Sequence, residues 1–415
     1  MESEVIVVGS GAGGGTVAFE LASRGFQVLL IEEGERVSAG ESRRAYSPLS
    51  SSVEVLRAKC LGGSALLSLG NMVADEGMLS KIRGLGVDLS AELLRVKELM
   101  CVTETPMEKL PPFAVKFFRV AEYMGLKPKV MPKSILHELC IGCGECAYGC
   151  RRNAKRTSLD LILRAEAMGL KVTTGLRAVK ASRSCGDSRI LVEGEVRGGR
   201  TLLSCKALVL AAGALETPSL LAQLHDDENV GRGLFVDPFV TLGGPYNGET
   251  SRLGVQMAVY ADLDGYMISP HYSGLLLPQL AAKGVRAHEG NIASLMVKVA
   301  DEGGGRILPS GAVVTRMSER DVEALNNGIG RARELLVEMG VKEKDIAVTP
   351  VRGAHPGGTA AIGRVVDRDL TINGCDGVFV ADASLIPPPL GKPPIMLIMA
   401  LALKAAKRIE EYLRR

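Results

Sequence analysis

Tryptophan and a net charge of consequence are missing from this 415-residue sequence, and neither a membrane span nor an export leader is expected of it. The longest uninterrupted apolar run near the C-terminus, Ile395 to Leu403, falls well short of the ~20 residues that a membrane-crossing helix needs. The opening Met1-Glu2-Ser3-Glu4 is acidic where a secretory leader is basic, and a strand pattern starts at Val5. The cytoplasm is therefore the expected compartment. Lys and Arg total 50 against 47 Asp and Glu, a net +3, too balanced for a protein defined by nucleic-acid binding. Gln occurs only at 27, 223, 256 and 279, a weak mark of heat adaptation. With 46% hydrophobic and 23% charged residues, the chain is neither disordered, collagenous nor a disulfide mini-protein. Its length fits two or three domains around a large core.

Glycine, by contrast, is abundant at 49 residues, and there are nine cysteines. Without an export signal, a disulfide framework is not expected. Cys60, Cys101, Cys185, Cys205 and Cys375 are scattered and read as small buried hydrophobes. Cys140, Cys143, Cys146 and Cys150 fall within eleven residues, and that grouping needs its own explanation.

Residues 4–9 read as a buried parallel strand, 11–23 as a helix and 27–32 as a second strand, together a βαβ unit. Gly9-Ser10-Gly11-Ala12-Gly13-Gly14 matches G-x-G-x-x-G at the strand-to-helix turn, and Glu32 closes the next strand. Glycine is required where the turn is tight and where backbone approaches a pyrophosphate. The helix N-terminus then supplies N–H donors, and Glu32 can accept from ribose hydroxyls. NAD and FAD both fit these residues. Ala211-Ala212-Gly213-Ala214 makes a second small-residue turn after the strand 207–210, suited to close approach by a ligand. Residues 76–134 read as mostly helical. From about 240 to 345 short strands broken by Gly, Pro and Asn precede a charged helix at 318–339, which reads as an inserted antiparallel sheet with helical cover. A buried strand, 377–381, and a helix, 394–413, end the chain.

Four segments resemble the glucose–methanol–choline (GMC) family of FAD-dependent oxidoreductases. They are Val7–Gly34; Leu61-Gly62-Gly63-Ser64; Val209–Pro218 followed by Gly231–Leu234 and Asp237-Pro238; and His355-Pro356-Gly357-Gly358-Thr359 followed by Val380–Ser384. They occur in the family's order from end to end. The resemblance implies FAD, an alcohol-type small-molecule substrate, and a flavin-binding α/β fold: a Rossmann-like doubly wound domain with an inserted α+β substrate domain on an antiparallel sheet. By it the FAD-binding domain comprises 1–75, 135–240 with the cysteine loop 140–150, and 346–415; residues 76–134 form a helical cover and 241–345 the substrate domain. FAD contacts are expected from Gly9, Ser10, Gly11, Gly14, Glu32, Glu33, Gly63, Ser64, Asn71, Ala212, Gly213 and Ala383. The resemblance further places Val179 near the adenine, Asp382 near the phosphate–ribityl region, and Pro394 and Ile395 at a helix N-terminus near the flavin pyrimidine ring.

His355 is the expected catalytic base, because an alcohol gives up hydride readily only when its hydroxyl proton has an acceptor, and imidazole suits that task near neutral pH. His271 and His288 fall in the expected substrate domain as further pocket candidates; His137 and His225 have no such setting. At the family's second catalytic position, usually His or Asn, this chain reads Gly391-Lys392-Pro393-Pro394. Proline can neither orient a hydroxyl nor stabilise an alkoxide, so Lys392 or another group takes that role, or His355 works alone. The Gly-Gly-Ser loop has Ser68 where the family has Asn, with Asn71 later.

Cys140, Cys143, Cys146 and Cys150 have C-x2-C-x2-C-x3-C spacing, that of ferredoxin-type ligands for a [4Fe–4S] cluster. The Pro usual after the fourth Cys is Arg151. Zinc and free or paired thiols are the alternatives; Gly149-Cys150 and Ala154-Lys155 also match a family loop that holds no cluster. Arg151, Arg152, Lys155 and Arg156 read as a solvated helix start or as a basic docking patch for an acidic carrier such as ferredoxin. The expected activity is alcohol oxidation through FAD and a cluster to an external one-electron carrier, in a protein that acts alone, as an oligomer or in a complex. The alternatives are carrier-driven reduction of a carbonyl or alkene, and electron transfer without a substrate.

Overall fold

The computed structural model describes residues 2–38, 41–184 and 189–415; Cys185 lies outside them. Val5 to Val8 are all buried, as a strand covered on both faces requires. The strand Glu2–Val8 runs parallel to Val28–Ile31 on one side and to the long strand Gly199–Leu210 on the other. Lys171–Thr173 extends the sheet past Val28–Ile31, and Val378–Val380 joins the end of the long strand. Val8 pairs with Ile31 and Leu210, and Leu210 with Val380, so these strands end at one edge. Ligands of open α/β sheets bind beyond such an edge. An antiparallel hairpin, Arg177–Arg183 with Ile190–Val196, completes the sheet.

The first helix, Ala12–Ser23, is buried along most of its length because three elements enclose it. The sheet lies on one side, the final helix Ile395–Leu413 and the helix Ser158–Glu166 on the others. Gly15 permits the second contact: a Cβ there would lie 3.0 Å from the Cβ of Ser158. A Thr157–Asp160 capping box starts the helix Ser158–Glu166.

A second sheet runs in the order 54–55, 352–353, 238–245, 292–299, 266–270, 259–263 and 128–130, with 347–348 also paired to 238–245. The helix Glu319–Glu338, opened by a Ser318–Asp321 capping box, presses Leu325, Ala332, Leu335 and Leu336 onto Leu242, Ile268, Leu295 and Val297. The antiparallel sheet expected within 241–345 is present, but it recruits edge strands from 54–55 and 128–130. Two- and three-residue strands are too short to show alternation. Three helices, Glu76–Gly84, Ser90–Leu99 and Pro112–Tyr123, precede the second of these edges. Pairing sets Phe239 opposite both Lys298 and Arg352, and Pro238 opposite Gly353. That register fixes the neighbours of one end of the cavity described next.

Candidate active site

A cavity of about 480 Å³ runs from the Gly-rich turn to the N-terminus of the final helix, within the range of cofactor and small-molecule sites. His355 and every cofactor-facing residue named above line it, with the exception of Gly14. The glycines of the turn divide the work. A Cβ at Gly9 would lie 2.3 Å from Ala211 O, one at Gly13 1.6 Å from Ala381 O, and one at Gly14 1.9 Å from Gly9 O. Gly14 is therefore packed within the turn, outside the cavity lining. At Gly11, where φ is ordinary, a Cβ meets nothing within 4 Å. Its empty side faces the cavity, which is the arrangement a pyrophosphate needs.

Glu32 is buried, and burial raises its pKa. Its Oε2 accepts from Ser10 N–H at 3.0 Å and Ser10 Oγ–H at 2.6 Å, and its Oε1 from Gly34 N–H at 2.8 Å. A carboxylate offers about four acceptor positions, so one remains for a ligand hydroxyl. Glu33 forms an ion pair with Lys59 at 2.7 Å. Asp382 is a clamp: Oδ2 accepts from Gly213 N–H and Thr217 Oγ–H, and Oδ1 from Ser384 N–H. It ties the second small-residue turn to the C-terminal signature. Gln223, which sequence reasoning missed, lines the cavity beside Val179 and bonds Val179 O at 3.4 Å.

At the other end, His355 Nδ1 lies 2.9 Å from Asp237 Oδ2, and Asp237 Oδ1 accepts Gly391 N–H at 2.8 Å. Asp237 is fully buried and sits at φ +48, a left-handed conformation that costs energy outside glycine. With both oxygens accepting, the hydrogen-bond network assigns the imidazole proton to Nδ1. Nε2 is left as the acceptor. Burial, and then the charge of Lys298, hold His355 well below the usual imidazole pKa. Lys298 Nζ approaches Nδ1 to 3.4 Å, and Lys298 lines the same cavity.

Asp237 and Lys298 were not expected here. Lys298 is the one charged residue of the wholly buried strand Ile292–Val299, a signal visible in the sequence. Lys392 is not in the cavity lining; it pairs with Asp262 and with Asp75 at 3.4 Å. His271 does line the cavity, bonded through Nδ1 to Thr241 Oγ1 at 3.0 Å, and burial lowers its pKa to about 4. His288 is exposed and caps its own turn by accepting Gly290 N–H.

The cysteine loop reaches the cavity wall. Ala147 and Tyr46 line it, and Tyr46 OH donates to Ala147 O at 2.9 Å. Among the described residues no three His, Cys, Asp or Glu side chains converge to hold a metal. The thiols of Cys60, Cys101, Cys205 and Cys375 each lie 3.5–3.9 Å from a carbonyl oxygen, whereas among the described residues Cys140, Cys143, Cys146 and Cys150 share no such bond. Lys155 is a correction to the solvated patch. It is buried, and its Nζ donates to Leu66 O, Ser68 O and Cys146 O. Arg156 pairs with Asp160, and only Arg151 and Arg152 of that run are exposed.

The family model described as FAD dependent oxidoreductase matches residues 4–233, and that described as GMC oxidoreductase matches 306–402. The chain belongs to the FAD-dependent oxidoreductases. Its C-terminal segment is the GMC oxidoreductase domain, which contains His355 and Asp382. Uncharacterized protein MJ1450 of Methanocaldococcus jannaschii is 32% identical to this oxidoreductase over 403 residues, covering 97% of this chain and 98% of its own. Long-chain-alcohol oxidase FAO4B of Arabidopsis thaliana is 24% identical over 530 residues, covering 99% of this chain and 68% of its own. The crystal structure of pyridoxine 4-oxidase from Mesorbium loti shares the fold, with a TM-score of 0.74 at 18% identity over 99% of both chains.

The turn's division of labour is testable. Gly11→Val should fold with an unchanged Tm yet purify without flavin. Gly13→Ala should lose more than about 2 kcal/mol of stability, because its neighbour is backbone. Flavin content after denaturation and thermal melts separate the two; flavin retained by Gly11→Val would contradict the assignment.

Proposed function

We propose that this oxidoreductase is a dehydrogenase that oxidises the CH–OH group of an alcohol and hands electrons singly to an external carrier. The observation that carries the reading is the Asp237–His355 pair opening into a cavity whose far end is the Gly-rich turn. When bound there, FAD accepts hydride. The residues around Gly11, Glu32 and Gly213 would hold its phosphates and riboses. Pro394 and Ile395 would bring the final helix N-terminus toward its ring.

The chain's own part is proton management. Asp237 holds the His355 ring by Nδ1, so Nε2 can accept the hydroxyl proton, and the depressed pKa keeps the ring neutral and ready. Phe239, Met257 and Met296 supply apolar wall around this end, which keeps water from competing for the base. The plant relative is a long-chain-alcohol oxidase, which agrees with an alcohol donor.

Cys140, Cys143, Cys146 and Cys150 would hold a [4Fe–4S] cluster, which supplies one-electron transfer when bound. Two observations support that donor set. The four thiols are unengaged among the described residues. Beside them two buried ammonium groups have only neutral partners: Lys133 donates to Leu69 O, Asn71 Oδ1 and Gln256 O, and Lys155 to the three carbonyls above. Among the described residues neither has a carboxylate within 4 Å, and burial lowers Lys133 to about 7 and Lys155 to about 8; a thiolate-bound cluster would supply the anion that keeps both protonated. On and beside the loop, Leu139, Ile141 and Leu253 are exposed, and so are Arg43, Arg151 and Arg152. The loop's Gly142 O accepts Gly254 N–H, and Arg43 stacks on the ring of the loop's Tyr148. Such an apolar patch with basic neighbours suits an acidic carrier such as ferredoxin.

His355→Ala should keep its FAD and lose alcohol-driven flavin reduction by roughly 10²–10⁴-fold. Near-normal turnover in that variant would refute the base assignment. The pH profile of kcat/KM follows from the sign of the shift. A base whose pKa is depressed stays neutral as pH falls through the usual imidazole range, so His355 itself imposes no loss there; Asp237, which burial raises to about 7, is the group whose protonation should lower kcat/KM as pH falls below about 7.

Anaerobically prepared protein should carry about four irons per chain. Replacing any one of the four cysteines with Ser should lower that content without releasing flavin, leaving alcohol-driven flavin reduction intact while transfer to a one-electron acceptor fails. Full acceptor activity in iron-free protein would dismiss the cluster. One zinc per chain would make the loop a structural staple.

A further inference from the structure

Lys298 is 2% exposed, one residue from the end of a strand of otherwise neutral residues. An ammonium group carries three donors and is costly to bury unless they are used. Among the described residues it has no carboxylate within 4 Å, and its one polar neighbour is His355 Nδ1 at 3.4 Å. That atom already gives its proton to Asp237 and has no lone pair to offer. The three N–H donors of Lys298 are thus unspent, in a side chain that lines the cavity beside the base.

The position has a meaning given by what surrounds it. Pro393 cannot donate, and Lys392 is held away by Asp75 and Asp262. An alcohol losing its proton to His355 develops negative charge on oxygen, and the other cations that line the cavity are already paired: Arg57 with Glu216, and Lys59 and Arg177 with Glu33. The geometry points to Lys298 as an oxyanion site: its Nζ donates to the substrate oxygen as that oxygen becomes an alkoxide. In the balanced step the O–H bond breaks and its proton goes to His355 Nε2. The carbinol hydrogen then leaves with its electron pair to bound FAD, and C–O becomes C=O. Lys298 gives up no proton; it returns to its starting state when the neutral carbonyl departs. This inference rests on the reading of His355 as base, and it commits the substrate to one whose oxygen passes through an anionic form.

The groups whose charge reaches Nζ are His355, Asp237 behind it, His271 and, from outside the cavity, Lys392; Asp301 lies one hydrogen bond further, on Asp237 N–H. Burial, and then the charge of Lys392, lower the Lys298 pKa to about 8 against the pull of Asp237. Both histidines are already neutral at that pH, whereas burial raises Asp301 to about 8 and Asp237 to about 7, so the pH dependence belongs to Nζ only if it disappears in Lys298→Arg, whose guanidinium stays charged. An oxyanion should therefore bind below about pH 8 and be released as Nζ loses its proton above it.

The probe is hexanoate, which presents an anionic oxygen to the site and has no carbinol hydrogen to lose. Its binding to the FAD-loaded protein is read as a perturbation of the flavin absorption, so no turnover is needed. Wild-type protein should bind hexanoate more weakly as pH rises through about 8. Lys298→Met should weaken it at least about tenfold, the scale of one charge-assisted hydrogen bond, and Lys298→Arg should recover most of the loss. Hexanoate that fails to bind the wild type, or binds Lys298→Met equally well, overturns the site. So does a Lys298→Met protein whose resting flavin spectrum shifts while hexanoate affinity stays the same, since Nζ would then face the cofactor. Should Lys298→Met fail to fold, Lys298→Arg decides: hexanoate binding that still weakens through about pH 8 in that variant overturns the site. Alcohol-driven flavin reduction by His355→Ala tests the underlying reading separately: it can fail with hexanoate binding intact, and the reverse.

Discussion

Three close backbone contacts hold the flavin half of this protein together. Gly9 against Ala211, Gly13 against Ala381 and Gly14 against Gly9 leave no room for a side chain. They let the ends of strands drawn from the start, middle and end of the chain meet at one edge. Asp382 then fastens two of those ends with three hydrogen bonds. The open flank of Gly11 exists because its neighbours are so tightly seated: the turn is rigid, and the one unfilled side is the side toward the cavity. The open backbone that the turn offers a ligand follows from that packing.

The substrate half depends on register. Phe239 pairs with Lys298 on one side and Arg352 on the other. Asp237, just before the strand that carries Phe239, therefore stands next to the strand 352–353 that leads to His355. A slip of one residue would turn Lys298 to the opposite face of the sheet. The three polar side chains meet because of backbone pairing, with the apolar core of Leu242, Leu295 and Val297 beneath the helix 319–338 holding that pairing. Burial then acts on all of them alike. It raises Asp237, lowers Lys298 and lowers His355, and each charge is tolerated because of the other.

The legible parts of the sequence were those carried by contiguous residues. The turn at 9–14, Glu32 and the His355 signature each lie within one local pattern, and the cavity collects them. The Asp237–His355 bond joins residues 118 apart, and the Lys298 contact joins residues 57 apart; neither leaves a local spacing to read. Lys298 did leave a trace as a lone charge in an apolar strand. Lys155 misled, because a basic run looks solvated until three carbonyls converge on one of its members. The edge strands at 54–55 and 128–130 were invisible for want of length.

The contact between Gly13 and Ala381 spans nearly the whole chain. A polypeptide made from its N-terminus forms the first βαβ unit early, yet that unit's glycine turn has no far wall until Ala381 and Asp382 have been synthesised. Cofactor capture is in this sense a checkpoint on completeness. A chain that stops short of the last strand presents its nucleotide turn to water, and the edge of Leu208–Leu210, left without Val378–Val380, becomes a surface for other chains to pair with.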